Sequence, residues 1–189
     1  MTPHLSFQTS MSGIFAALLL AVIGFVCPLV AQAAETSVEQ ESRAALKSLY
    51  EGSPGARSLG KDAKGILVFP SVTKAGFIVG GQGGNGVLLI NDKVVDNYNT
   101  AAVSVGMQAG VQSFGYVLFF MSDKVLKEFR ESKNFQVGVG PTVVVVDAGA
   151  GKDLTTLTAK SDVYAVIFDQ KGLMAGVSVQ GSKITKLDR

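Results

Sequence analysis

The sequence predicts an α+β fold: a mainly antiparallel β-sheet curled toward a barrel or sandwich, with two N-terminal helices and one mid-chain helix. Three observations carry this. Lys64 to Ile90 holds two runs rich in Val, Ile, Leu and Phe around a cluster of glycines, the composition of paired strands. Short apolar runs bounded by turn residues recur from there to Leu187. Segments with helical spacing occur only before Lys64 and after Ser122.

The first helix is expected over Glu35 to Tyr50, capped by Ser37, with Val38, Ser42, Ala45, Leu46 and Leu49 on one face. That stripe suits packing on the β core, and with its flanking Arg43 and Lys47 it also suits a membrane surface. Ser53 and Pro54 have the form of a cap followed by proline at the first helical position, opening a short helix to about Lys64. Ile66 to Phe69 and Phe77 to Val79 read as strands broken at Pro70. Asn85 and Gly86, tolerant of positive φ, are expected to form the tight turn before the strand Val87 to Ile90. Gly76, Gly80, Gly81, Gly83 and Gly86 are thus assigned to a structural glycine hairpin. Asn91 to Lys93 makes the next turn, followed by a short strand from Val94 to Asn99.

Ala101 to Met121 is read as two strands that approach closely at Gly106, Gly110 and Gly115. Ser122 caps a helix to about Ser132 with Val125, Leu126 and Phe129 on one face. Further strands are expected over Val137 to Asp147, Leu154 to Thr158, Asp162 to Phe168, Gly172 to Val179 and Ile184 to Leu187, with a turn at Asp169 to Lys171.

Ahead of this body, Ile14 to Ala31 is an almost unbroken apolar run followed by the small-x-small pattern Ala31, Gln32, Ala33. A signal peptide over residues 1–33 is expected, leaving one domain over 34–189; the alternative is a retained N-terminal membrane anchor. Either places the body outside the cytoplasm, in the periplasm or secreted. Cys27 and His4 both fall in the segment to be removed, so the body has no thiol chemistry and no imidazole for an acid/base relay or a zinc site. With 17 Lys+Arg against 15 Asp+Glu the charge balance is mild, and there is no Trp. Both features argue against nucleic acid as a partner.

Gly81, Gly83 and Gly86 match a dinucleotide-binding fingerprint in spacing alone. They lead into a strand, whereas that fingerprint needs a helix N-terminus to meet the pyrophosphate. Asp92, Asp96, Asp147, Asp153, Asp162 and Asp169 are the candidate metal ligands, but none has calcium-loop spacing and each adjoins a predicted turn. No cofactor, metal or catalytic residue is assigned. Arg57, Lys61, Lys64 and Lys74 flank the second helix and first hairpin, and are assigned to a rim that meets phosphate headgroups. Val38, Ala45, Leu46 and Leu49 are assigned to a membrane-apposed helix face.

Lys64-Gly65, Phe69-Pro70, Lys74 to Phe77, Gly80-Gly81, Gly83, Gly86-Val87, Gly140-Pro141 and the late stretch Lys171 to Ser182 resemble the SYLF domain, also called the Ysc84-type lipid- and actin-binding domain. The resemblance runs from Leu46 to Leu187. It departs from the family where a Trp-Ser-x-Pro segment is replaced by Asn97 to Thr100, and where Thr142-Val143 follows Gly140-Pro141. It implies a phospholipid-binding domain, with lipid contact at the stretch corresponding to Val38 to Lys64. The chain is expected to be a bacterial exported member: a non-enzymatic, peripheral binder of anionic phospholipid in the cell envelope, without actin as a partner. The alternative is a structural or protein-interaction module with an envelope protein as its partner.

Overall fold

A computed structural model describes residues 37–105, 110–132, 134–137, 143–148, 161–172 and 181–188. Two helices come first, α1 over residues 37–52 and α2 over Pro54–Asp62. They are followed by β1 (Gly65–Gly76), β2 (Val79–Ile90), β3 (Lys93–Val105) and β4 (Gly110–Phe120). Then come α3 (Asp123–Glu131), β5 (Asn134–Gln136), β6 (Val143–Asp147), β7 (Val163–Gly172) and β8 (Lys183–Lys186). The strands form one sheet in the order β5-β8-β3-β2-β1-β4-β7-β6. Every pairing is antiparallel except β6 with β7. This is the expected α+β class, with the sheet curled into a half-barrel.

Both short helices begin where the sequence places a cap. Ser53 Oγ accepts from Ala56 N at 3.3 Å, with Pro54 opening α2, and Ser122 Oγ accepts from Val125 N at 3.4 Å. The sheet has two apolar faces because alternate strand residues point opposite ways. Val68, Val87, Val117, Phe119, Tyr164 and Val166 pack with Leu46 and Leu49 of α1 and Leu59 of α2. Leu67, Leu118, Phe120, Val163 and Ala165 point the other way, into a core shared with Val125, Leu126 and Phe129 of α3. In that core the Phe129 ring lies 4.9 Å from Tyr98, 4.7 Å from Phe120 and 5.1 Å from Phe135. One aromatic side chain thus ties α3 to strands from the middle and the edge of the curl.

The first hairpin differs from expectation. Pro70 does not end a strand; β1 continues through it with a bulge, marked by register shifts between Val68 and Thr73 and between Phe69 and Val72. The turn falls at Phe77 and Ile78, and Asn85 and Gly86 lie inside β2 with no positive φ. A Cβ on Gly84 or Gly86 would run into the backbone carbonyls of Ser71 or Val68 at the bulge. The glycines therefore serve close approach rather than turning. The positive-φ turn lies one hairpin later, at Asn91 (φ 50°) and Asp92 (φ 61°). The expected turn at Asp169 to Lys171 is likewise a bulge within β7, with Asp169 at φ 51°. The expected strand at Leu154 to Thr158, most of that at Gly172 to Val179, and the signal segment over 1–33 lie outside the described residues.

Candidate functional site

The sequence-predicted cations separate into two places. Lys64 stands just before β1, and Lys61 lies in the last turn of α2. Both are outward-facing, and among the described residues neither has an ion-pair partner. They border two adjoining clefts. The larger, about 840 Å³, is closed on its far side by α3 residues Lys127 and Arg130 and by Lys186 of β8. The smaller, about 460 Å³, lies toward α1 and includes Tyr50 and Arg57. The Arg57 guanidinium donates twice to the Tyr50 carbonyl, at 2.9 and 2.6 Å, so it is fixed in place while its charge meets no carboxylate among the described residues.

Lys74 does not join them. It lies ten residues along β1, about 33 Å away at about 3.3 Å per residue. It is also buried, in a transverse row with Gln82 on β2 and Gln112 on β4. The four apolar residues assigned to a membrane-facing helix surface are also placed differently. Leu46 and Leu49 are buried in the sheet core, and Val38 and Ala45 pack against it. The stripe is a core stripe because β1, β2 and β4 present an apolar face that must be covered.

Sequence reasoning missed Lys127, Arg130 and Lys186. No local signal links residues 127–130 to residue 186; the curl of the sheet brings them together. Two of these cations are already matched: Asp96, nearly buried, binds Arg130 Nε at 3.2 Å and Lys186 Nζ at 2.6 Å. Lys127 pairs with Glu131 at 3.8 Å on an exposed surface, a weak contact. Asp62, Asp123 and Glu131 also line the larger cleft. The free positive charge is thus concentrated on Lys61 and Lys64, with Arg57 behind them.

The titratable groups do not suggest catalysis. Burial, aided by the nearby Asp92 carboxylate, pushes the Tyr50 hydroxyl up to about 12. Burial also raises Tyr98 and Tyr116, the latter against an opposing hydrogen bond to Thr100 Oγ1 at 2.6 Å. All three stay protonated at neutral pH. Among the described residues no group of three or more His, Cys, Asp or Glu could hold a metal. Asp96 is taken by its two cations, Asp147 accepts from Gln170 at 2.6 Å, and Asp169 meets Lys171 at 2.9 Å. Asp153 lies outside the described residues.

Comparison with known proteins gives one consistent result. Residues 101–189 match the Ysc84 family model, described as "Las17-binding protein actin regulator". Protein YSC84 of Saccharomyces cerevisiae is 30% identical over 131 residues, covering 66% of this chain and 28% of the relative. The human SH3 domain-containing YSC84-like protein 1 is 28% identical over 127 residues (64% and 36%), and its Xenopus laevis counterpart 26% over 162 residues (78% and 48%). The chain thus spans less than half the length of each of these relatives. The family model's description names binding and regulation, in agreement with the expectation that the chain is not an enzyme.

These relatives correct the rest of the expectation. They come from yeast, frog and human, which overturns the reading of a bacterial exported member with a signal segment and a periplasmic or secreted location. The family model's description as an actin regulator overturns the exclusion of actin. Among the described residues, no helix is long and apolar enough to cross a membrane.

Proposed function

We propose, on the premise that residues 101–189 belong to the Ysc84 (SYLF) family, that this protein is a non-enzymatic module that binds anionic phospholipid peripherally. Phosphate headgroups meet Lys61 and Lys64, with Arg57 as the third cation. The observation that carries this reading is the pair of unmatched lysines on the shared border of two clefts. A phosphate there gains two charge-assisted contacts and displaces no existing ion pair. The fixed Arg57 guanidinium adds positive potential without having to be ordered on binding.

Co-sedimentation with phosphatidylserine-containing and pure phosphatidylcholine vesicles tests it. Binding selective for the anionic vesicles, reduced by salt and lost on Arg57→Ser, Lys61→Ser, Lys64→Ser, is the expected result. Full-strength binding by that triple variant rejects the assignment of the three cations. A second reading, a protein-binding module with actin as its partner, is favoured by the family model's description. Sedimentation with actin filaments in the absence of lipid is the outcome that selects it.

A further inference from the structure

The opposite end of the first hairpin carries a surface that the cationic clefts do not account for. Phe77 and Ile78, which form the turn, are 72% and 59% exposed, and the adjoining Val79 is 62% exposed. Beside them Val103 is 80% and Val111 61% exposed. The strand register aligns these valines: Val103 opposes Gly81, Gly81 opposes Ala75, and Ala75 opposes Val111. Residues paired in register project from the same face, so this is one apolar row across four strands. Its floor of Gly81 and Ala75 leaves the two valines and the tip standing proud. This is the face that packs against α1 and α2 farther along, because Gly81 and Gly83 share β2 parity with Val87, which lies in that core.

Two residues farther from the tip, about 7 Å back, the next row on this face has a different chemistry. It runs Ala101, Gly83, Thr73, Ser113, and lysines end it on both sides: Lys183 opposes Ala101 and Lys171 opposes Ser113. Lys171 is paired with Asp169 at 2.9 Å; Lys183 has no ion pair among the described residues. From the tip inward, an apolar layer is thus followed by a polar layer with one unmatched cation, Lys183, at one end and Lys171, matched by Asp169, at the other. A tip entering an anionic bilayer meets the same sequence in reverse order of depth: acyl chains deepest, phosphates about one layer shallower. That match of depth and charge selects a bilayer over a second apolar protein surface.

We propose that the β1–β2 tip is a membrane-inserting element, with Phe77 and Ile78 entering the acyl region of an anionic bilayer and Lys183 and Lys171 at the headgroup level. The proposal rests on the phospholipid reading above and adds a second contact to it. The tip lies about 40 Å from Lys64 along the hairpin, so a hairpin that enters a bilayer end-on holds the cationic clefts away from that bilayer, and a protein engaged at both ends in that orientation joins two bilayers.

The chain contains no tryptophan, so Phe77→Trp in the full-length protein creates a single indole reporter at the tip. With phosphatidylserine/phosphatidylcholine vesicles, its emission shifts to the blue and is quenched by lipids brominated along the acyl chain. Phosphatidylcholine alone gives a much smaller change. Phe77→Ser with Ile78→Ser leaves the thermal melt in place, since both side chains are exposed, and weakens vesicle binding about tenfold or more. Unchanged indole emission on vesicles that sediment the protein overturns the proposal while leaving the cationic clefts in place. An emission shift that survives Arg57→Ser, Lys61→Ser and Lys64→Ser, with vesicle binding retained, supports the tip and removes the clefts. Failure of the intact protein to bind vesicles overturns both.

Discussion

The two halves of the sheet, divided at the Pro70 bulge, are built to different rules. Toward Gly65 and Phe120 the strands are covered on both faces, by α1 and α2 on one side and by α3 on the other. Toward Gly76 and Gly110 the inner face is still filled, by Val72 and Phe114, but the outer face is bare and carries Thr73, Ala75, Gly81, Gly83, Ala101 and Val103. Stability is therefore concentrated in the first half, and the second is free to meet something else. The same residue type should then have different consequences in the two halves.

The largest contrast is between two phenylalanines. Phe129→Ala removes the ring that contacts Tyr98, Phe120 and Phe135, and is expected to cost about 3–5 kcal/mol. Phe77→Ala, at a 72% exposed turn, is expected to stay within about 0.5 kcal/mol of the parent. Urea denaturation of the two variants measures the difference; similar losses would remove the distinction between the halves.

Two glycines on the same strand sharpen it. Gly86→Ala drives a methyl into the Val68 carbonyl and the Phe69 ring, which is expected to cost about 1–3 kcal/mol. At Gly81 the new methyl meets only the Ala102 carbonyl, at 3.9 Å, so Gly81→Ala is expected to stabilise by about 0.5–1 kcal/mol through lower unfolded-state entropy. Opposite shifts in melting temperature are the readout.

Within the covered half, two tyrosines separate hydrogen bonding from packing. Tyr116→Phe leaves buried Thr100 without its 2.6 Å partner and is expected to cost about 1–2 kcal/mol. The Tyr98 hydroxyl is buried without a hydrogen-bond partner among the described residues, so Tyr98→Phe is expected to be neutral or stabilising. The smallest effect is that of pH. Tyr50, Tyr98 and Tyr116 all hold their protons more tightly folded than unfolded, where tyrosine ionises near about 10. Above that pH the unfolded chain binds fewer protons than the folded one, so stability falls as pH rises from about 10 toward the raised folded values, and it is unaffected below. Melting curves between about pH 8 and about pH 11.5, taken at about one-unit steps, test the sign.

The covered half was the legible one. Ser53 with Pro54, Ser122, and the apolar faces of α1 and α3 all announce themselves within a few residues, because caps and helical periodicity are local. The hairpin was misread because Asn85-Gly86 carries the same local signature whether it turns the chain or lies flat beneath a neighbour. Only the position of the Val68 carbonyl across the sheet decides which. Phe77 and Ile78 have no turn chemistry, so the true tip was not visible. Of the proposed site, Lys61 and Lys64 adjoin in sequence and border the same clefts, so their grouping is legible locally. Lys74 was grouped with them by the same proximity, although a strand carries it far from them. Lys127, Arg130 and Lys186 meet the cleft only through tertiary structure, and the Asp96 contacts that neutralise two of them are equally non-local.

The position of β8 has a consequence for the order in which this sheet is assembled. β8 lies between β3 and β5, and among the described residues β5 pairs with β8 alone. β1, β2 and β3 can zip as successive hairpins, and β4 then returns to the free side of β1, so the loops these pairings close are short. Asn134 to Gln136, by contrast, have no other described strand to pair with until Lys183 to Lys186 have docked on Tyr98 to Ala101. That docking closes a loop of most of the second half of the chain, a slow step by the measure of contact order. The edge beyond β3 is therefore exposed to other strands for as long as docking takes. The hairpins β1 to β3 are therefore expected to gain amide protection before Lys183 to Lys186 during refolding, and pulsed hydrogen exchange measures that order; a misplaced strand would enter before the edge is sealed.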